Sequence, residues 1–229
     1  MSLRRGPKSI VTEGLVFYID SNNPSSYTSG SLTTSNLVGP GSGSLQLGVG
    51  IGDNNSWRFD GIDDNIQTSV SPSTYSITDY STGMAYGVWF KTSVANSTDF
   101  TFIASNANTA MTFGTGIFIR NSKCYAFIRA WNYSQTTSQD VNDGEWHYAV
   151  ISKQFYFDGQ VVTTGYNTTP PYDINKNVSS NLTVDFRIAR NPGRANLPGD
   201  ISLFHVYNRN LSSSEVLQNY NALKGRFGL

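Results

Sequence analysis

The segment FYFDGQVVTT, residues 155–164, sets Asp158–Gly159 between two runs of aromatic and β-branched residues. A two-residue connection of this kind takes positive φ at both turn positions. Asp-Gly tolerates that, and the resulting turn matches the twist of an antiparallel pair, so the segment reads as a tight hairpin. GIFIRNSKCYAFIRAW, residues 116–131, reads as a second hairpin joined at Asn121–Ser122. Further short apolar runs lie at 14–20, 84–92, 100–105, 145–153, 184–190 and 200–209. In the first of them, Leu15, Phe17 and Ile19 alternate with Val16, Tyr18 and Asp20, the period of a strand. Roughly ten short strands punctuated by turns predict an all-β sandwich or barrel, not βαβ units.

Composition supports this reading. Only three glutamates occur, Glu13, Glu145 and Glu215, so strong helix formers are scarce. Aromatic residues make up 13% of the chain, and each buries a large area, so a core forms despite few aliphatic residues. The Gly- and Ser-rich stretch 28–56 reads as a long surface loop with weak strands, because Leu45, Leu47, Val49 and Ile51 still alternate. One helix is predicted near the C-terminal end. Ser212 and Glu215 form a capping box, Val216, Leu217 and Tyr220 give an apolar face, and Gly225 is placed to end it in a left-handed cap. The reading is an N-terminal arm over residues 1–13 and one domain over 14–229.

Sixteen basic residues balance sixteen acidic ones, which argues against nucleic acid as a partner. The basic N-terminal end is followed by no apolar core segment, so neither a signal peptide nor membrane insertion is expected. Cys124 is the single cysteine, which removes an internal disulfide and a cysteine zinc cluster, and it reads as a buried inert thiol.

Catalytic constellations find little support. The two histidines, His147 and His205, both lie in strand-like runs, and the sequence neighbours of His147 supply no base, nucleophile or second ligand. In DVNDGEWHYAV, residues 140–150, Trp146, Tyr148 and Val150 fall on one face, expected to be buried, with His147 on the other. The glutamates are far apart, without the paired spacing that glycoside hydrolysis on one strand would need. The chain is therefore expected not to be an enzyme. Asp60, Asp63 and Asp64 cluster in RFDGIDDN and have two readings, acids that hydrogen-bond turn backbone or oxygen ligands for calcium. Trp57 in GDNNSW, and Trp131, Asn132 and Tyr133 in RAWNYSQ, read either as core edge or as a platform on which a sugar stacks.

Five segments then come in a telling order: VFYIDSNNPSSY, WRFDGIDDNI, GVWFKT, DGEWHYAVISK with FYFDGQ, and GDISLFHVYNRNLSSSEVLQNYNALKGRFG. Together, from about Gly14 to Phe227, they resemble the laminin G-like branch of the concanavalin A-like lectin/glucanase superfamily. The resemblance implies a jelly-roll β-sandwich of two antiparallel sheets with one short C-terminal helix. The segments at 1–20 and 218–228 resemble versions found in tailed-phage structural proteins. That implies a virion component, a capsid decoration or a fibre or tail adhesin, contacting other virion proteins, copies of itself as a homo-oligomer, or host surface glycans. A lectin module acting alone is the alternative, and a glycoside hydrolase of the superfamily the third reading. Asp60, Asp63 and Asp64 match the family's FDGxDD segment. Ser202 stands where many relatives carry an acid, with Asp200 two residues earlier, and the 28–56 stretch lacks the pattern W-x-D-L-S-G-N; both departures weaken a calcium site carried over from the family.

Overall fold

The computed structural model describes residues 9–77, 83–94, 98–109, 114–128, 133–166 and 182–229, with backbone only at 128, 133–135, 165 and 166. The chain first forms β1 (Leu15–Asp20), β2 (Thr33–Ser35), β3 (Ser42–Gln46), β4 (Gly50–Ile51), β5 (Trp57–Asp60) and β6 (Asn65–Thr68). The middle holds β7 (Ala85–Lys91), β8 (Thr101–Ser105), β9 (Thr115–Arg120), β10 (Lys123–Ile128), β11 (Tyr133–Thr136) and β12 (Trp146–Ile151). Then come β13 (Phe155–Phe157), β14 (Gln160–Val161), β15 (Gly165–Tyr166), β16 (Arg187–Ile188), β17 (Ala195–Asn196), β18 (Pro198–Tyr207) and the helix α1 (Ser213–Leu223). No helix among the described residues is long and apolar enough to cross a membrane.

Two sheets result. One has eight strands in the order β14-β13-β12-β7-β18-β5-β4, with β1 also on β18. The other has ten in the order β15-β11-β10-β9-β8-β16-β6-β3-β2, with β17 also on β8. Every pairing is antiparallel except that of β17 with β8. This is the expected jelly-roll sandwich. Both predicted hairpins form with the required turns: Asn121 and Ser122 have φ of 49° and 61°, Asp158 and Gly159 of 49° and 78°.

Phe17, Ile19, Trp57, Phe59, Tyr86, Phe90, Ile117 and Phe204 fill the space between the sheets. A second apolar layer lies on the outer face of the eight-stranded sheet, where Trp89, Trp146, Tyr148, Val150 and Tyr207 pack beneath Val216 and Phe227. Trp89 stacks on Tyr148, Tyr220 and Phe227 at centroid distances of 5.2, 5.6 and 4.3 Å. Covering by the helix explains why both faces of β7, β12 and β18 are apolar, where simple alternation would leave one face wet.

Three local expectations change. The alternation of β1 breaks at a bulge between Leu15 and Phe17, so Leu15 joins the layer under the helix while Phe17 and Ile19 face the other sheet. Leu47 is exposed in a left-handed turn (φ 65°), and of the four alternating residues in 28–56 only Leu45 is buried in the core. The capping box forms as read, Ser212 Oγ accepting from Glu215 N–H. The left-handed stop, however, is Gly228 (φ 80°) and not Gly225, because a 3₁₀ turn at Lys224–Phe227 carries Phe227 onto Trp89 and Trp146. Cys124 is buried as expected.

Candidate functional site

The three aspartates of RFDGIDDN do come together. Asp60 ends β5, and Gly61 (φ 81°) turns the chain so that one carboxylate oxygen from each of Asp60, Asp63 and Asp64 lies within 4.8 Å of the others. Part of their hydrogen bonding is the turn chemistry read from sequence: Asp60 Oδ1 accepts Ile62 N–H at 2.7 Å and Asp64 Oδ2 accepts Asp60 N–H at 3.1 Å. Asp64 Oδ1 is different. It is buried, in a residue only 3% exposed, and has no hydrogen-bond partner among the described residues. Burial, reinforced by the charges of Asp60 and Asp63, outweighs the Asp60 N–H bond and raises the Asp64 carboxyl above its ordinary value. A hard cation taking oxygen ligands fits this arrangement, since it would satisfy the orphaned oxygen and neutralise the cluster.

The aromatic candidates fare differently. Trp57 is fully buried between the sheets, edge-on to Tyr27 at 5.6 Å, so it offers no face to a sugar. This corrects the platform reading of GDNNSW: inward alternation on β5 places Trp57 and Phe59 in the core and Arg58 outside. Trp131 and Asn132 lie outside the described residues, as does the side chain of Tyr133, whose backbone opens β11 opposite Ile128.

His147 also departs from its sequence reading. Trp146, Tyr148 and Val150 do bury together, and His147 faces the other way, against Phe90 and Phe157. Two carboxylates nevertheless reach it. Nδ1 meets Asp158 Oδ2 at 2.9 Å, from the β13–β14 turn, and Nε2 meets Asp143 Oδ1 at 3.2 Å. Burial alone would lower the imidazole's pKa, but the bonds and charges of Asp158 and Asp143 outweigh it and the net shift is upward. His205 lies on the opposite face with Nε2 2.7 Å from the Tyr148 hydroxyl, and burial lowers it to about 3.

The residues that sequence reasoning missed surround the loop between β4 and β5. Gly52 lies against Asp200 so closely that an added Cβ would sit 1.8 Å from Asp200 Oδ1. Asn54 and Asn55 follow with φ of 54° and 55°, an uncommon conformation that Asn adopts more readily than most residues. On one side of the loop is an open hollow of about 600 Å³ lined by Asn22, Gly52, Asn54, Asn55 and Arg226. Asn22 Nδ2 donates to the Asn54 carbonyl at 2.6 Å. Arg226 is forked onto Asp20 and donates to Ser202 Oγ at 2.9 Å. On the other side is a cleft of about 360 Å³ whose walls include Arg58, Lys91, Ser93, Pro198 and Asp200. Arg58 donates through Nε and Nη2 to the buried Asp200 carboxylate, both at 2.9 Å. Asp53 bridges two cations, with Oδ1 3.5 Å from Arg58 Nη2 and Oδ2 2.9 Å from Lys91 Nζ, and Lys91, then Arg58, lowers its carboxyl pKa. Asp200 is thus committed to Arg58. The sequence signal for this region was the Asn pair in GDNNSW; the partners Arg226 and Asp200 are remote in sequence and carry no local signal.

No curated protein sequence is similar enough to match this chain. Among solved structures, Trypanosoma rangeli sialidase in complex with the inhibitor DANA superposes with a TM-score of 0.65 at 14% identity, over 95% of this chain and 34% of the sialidase. A structure described as showing that cell entry of botulinum neurotoxin type C depends on interaction with two ganglioside molecules gives 0.58 at 11%, over 92% of this chain and 51% of the other. The chain thus spans about a third to a half of these proteins, and at such identity the likeness is one of fold. The sequence model of a laminin G-type family matches residues 60–217, from the acidic turn to the middle of α1. With the sandwich, its helix and this match in place, the chain belongs to the concanavalin A-like lectin/glucanases superfamily.

Proposed function

We propose that this protein binds glycans without catalysis, at the hollow formed by Asn22, Asn54, Asn55 and Arg226, and does so as a surface component of a tailed-phage virion. The observation that carries the glycan reading is the pair Asn54–Asn55. Both are exposed in left-handed conformations, and their side-chain amides have no hydrogen-bond partner among the described residues. An amide that donates and accepts at once suits sugar hydroxyls, and non-glycine residues in this backbone region concentrate at ligand sites. The ganglioside interaction named for the toxin structure supports the same reading. The phage setting is supported by the resemblance of the sequence at 1–20 and 218–228. In that setting the partners are neighbouring virion proteins or further copies of the chain, and host glycans.

A glycan array tests the main reading. Wild type should bind a defined subset and N54G/N55G, which removes the amides but keeps the left-handed backbone accessible, should lose it while remaining folded; absence of binding to every glycan would overturn it. Copurification with particles tests the setting, and a chain that binds glycans yet never associates with particles is the lectin module acting alone. Release of reducing ends or free sialic acid by the purified protein would overturn the non-catalytic reading.

The orphaned Asp64 oxygen favours a second role, binding of calcium by Asp60, Asp63 and Asp64. Binding to the folded state alone raises stability by about 2.7 kcal/mol at a hundredfold excess over Kd. Calcium should therefore raise the melting temperature of wild type and EDTA reverse it, while D64N, which keeps an acceptor for Asp60 N–H, should not respond. Equal responses in both proteins would dismiss the site.

A further inference from the structure

We propose that Arg58 and Lys91 form an acidic-sugar subsite beside the hollow, and that Asp53 fills it in the free protein as a tethered stand-in for the ligand carboxylate. This rests on the glycan reading above and names the class of glycan: one carrying a carboxylate.

The geometry points to a carboxylate directly. One oxygen of Asp53 faces Arg58 and the other faces Lys91, so the two cations are spaced to be bridged by one carboxylate group. The cations are held by the sheet and not by Asp53. Lys91 ends β7, and the Arg58 guanidinium is fixed along its Nε–Nη2 edge by Asp200, a carboxylate 4% exposed. That fork leaves Nη1 without a partner among the described residues. Asp53, by contrast, has a side chain 57% exposed and stands on a short loop whose other bonds are made by backbone: Ser56 N–H to Asp53 O, Gly52 N–H to Ser56 O, and Asn54 O from Asn22. Its carboxylate therefore leaves the cations without unfolding the loop. The same loop walls the hollow with Gly52, Asn54 and Asn55 and carries Asp53 onto Arg58 and Lys91, so the two cations lie one short loop away from the hollow.

A tethered carboxylate competes at high effective concentration, which keeps acidic ligands weak until it is displaced. Exposed ion pairs are individually weak, so the competition is modest and the gain from removing it is roughly three- to tenfold. The prediction runs against the usual direction for deleting a polar residue at a site: D53N should bind acidic glycans more tightly than wild type.

Calorimetric titration uses the full chain with two matched pairs, trigalacturonate against neutral galactotriose and sialyllactose against lactose. The first acidic probe presents a uronate and the second a sialic acid, so the arms identify the source of the carboxylate. For at least one pair the acidic member should bind better than the neutral one. D53N should tighten it roughly three- to tenfold and leave the neutral member unchanged, and K91Q should abolish the preference. D140N, which removes an exposed acid paired with Lys123 elsewhere on the surface, is the control for overall charge. Neutral binding with no acidic preference overturns the subsite and leaves the glycan reading standing. An equal gain in D140N, or weaker binding in D53N, also overturns it. Absence of binding to all four probes overturns the subsite, and the array decides the wider reading separately.

Discussion

His147 and His205 sit on opposite faces of the same sheet and are shifted in opposite directions, which makes pH a test of their surroundings. His147 is raised above the ordinary value of 6.5. A group whose folded pKa is raised binds its proton more tightly when folded, so its contribution is complete below 6.5 and disappears as pH climbs through the raised value. His205 is lowered to about 3. The unfolded chain then takes up a proton that the folded chain refuses, so this residue withdraws stability as pH falls from 6.5 toward 3. The two effects occupy different windows and are separable. H147Q should cost about 1.5–3 kcal/mol at pH 6, the range for bonds to a charged group. It should also flatten the decline of wild-type stability above pH 6.5, while the His205 limb between 6.5 and 4 keeps its slope. Urea unfolding across pH 4–9 measures this, and an undiminished alkaline decline in H147Q would show that the two aspartates do not hold a charged ring.

At the scale of elements, the loop between β4 and β5 is the part whose geometry is most demanding. Gly52 has φ of −104°, which any residue adopts, so its requirement is one of space alone. A methyl group there would overlap Asp200 Oδ1, and the loop or the carboxylate must move. G52A should therefore lose about 1–3 kcal/mol, as overpacking does, and weaken glycan binding roughly tenfold while the far-UV circular dichroism stays native. Normal binding in G52A would place the glycan elsewhere. This loop also shows what the sequence makes legible. Hairpins at Asn121–Ser122 and Asp158–Gly159, and the Ser212–Glu215 capping box, are set by residues adjacent in the chain, and each reads off directly. The bulge after Leu15 has no local signature, because it answers to the partner strand β18. Trp57 admitted a platform reading beside the core-edge one, because an aromatic beside asparagines has the right chemistry; only the register of β5 decides for the core and reveals that its neighbour Arg58 is the exposed one. Arg58 and Asp200 stand 142 residues apart, and their pairing follows from sheet order, which a single sequence does not display. The acidic turn was legible as a cluster, but the orphaned oxygen of Asp64 depends on burial.

Over the whole molecule, the eight-stranded sheet is buried on both faces, and the second face is closed by the two ends of the described chain together. Val11 N–H donates to Asn219 Oδ1 at 2.8 Å, and Tyr207 OH donates to the Val11 carbonyl at 2.8 Å. Phe227 then closes the layer over Trp89 and Trp146, at centroid distances of 4.3 and 4.6 Å. The next residue back, Arg226, crosses to Asp20 and Ser202 and forms one wall of the hollow. Packing of the outer layer and shape of the proposed site are thus joined through two consecutive residues. F227A removes a buried ring and should cost at least about 3 kcal/mol, lowering the melting temperature by roughly 6–12 °C for a chain of this size. It should also shift tryptophan emission to longer wavelength as Trp89 and Trp146 meet water, and weaken glycan binding without touching the hollow. R226M makes the complementary case: it removes the cation of the hollow and leaves the buried Asp20 carboxylate without its ion-pair partner, so binding and stability should both fall while tryptophan emission stays unchanged. Unchanged binding in F227A would mean that the outer layer and the hollow are independent, and that the position of Arg226 is set by Asp20 alone.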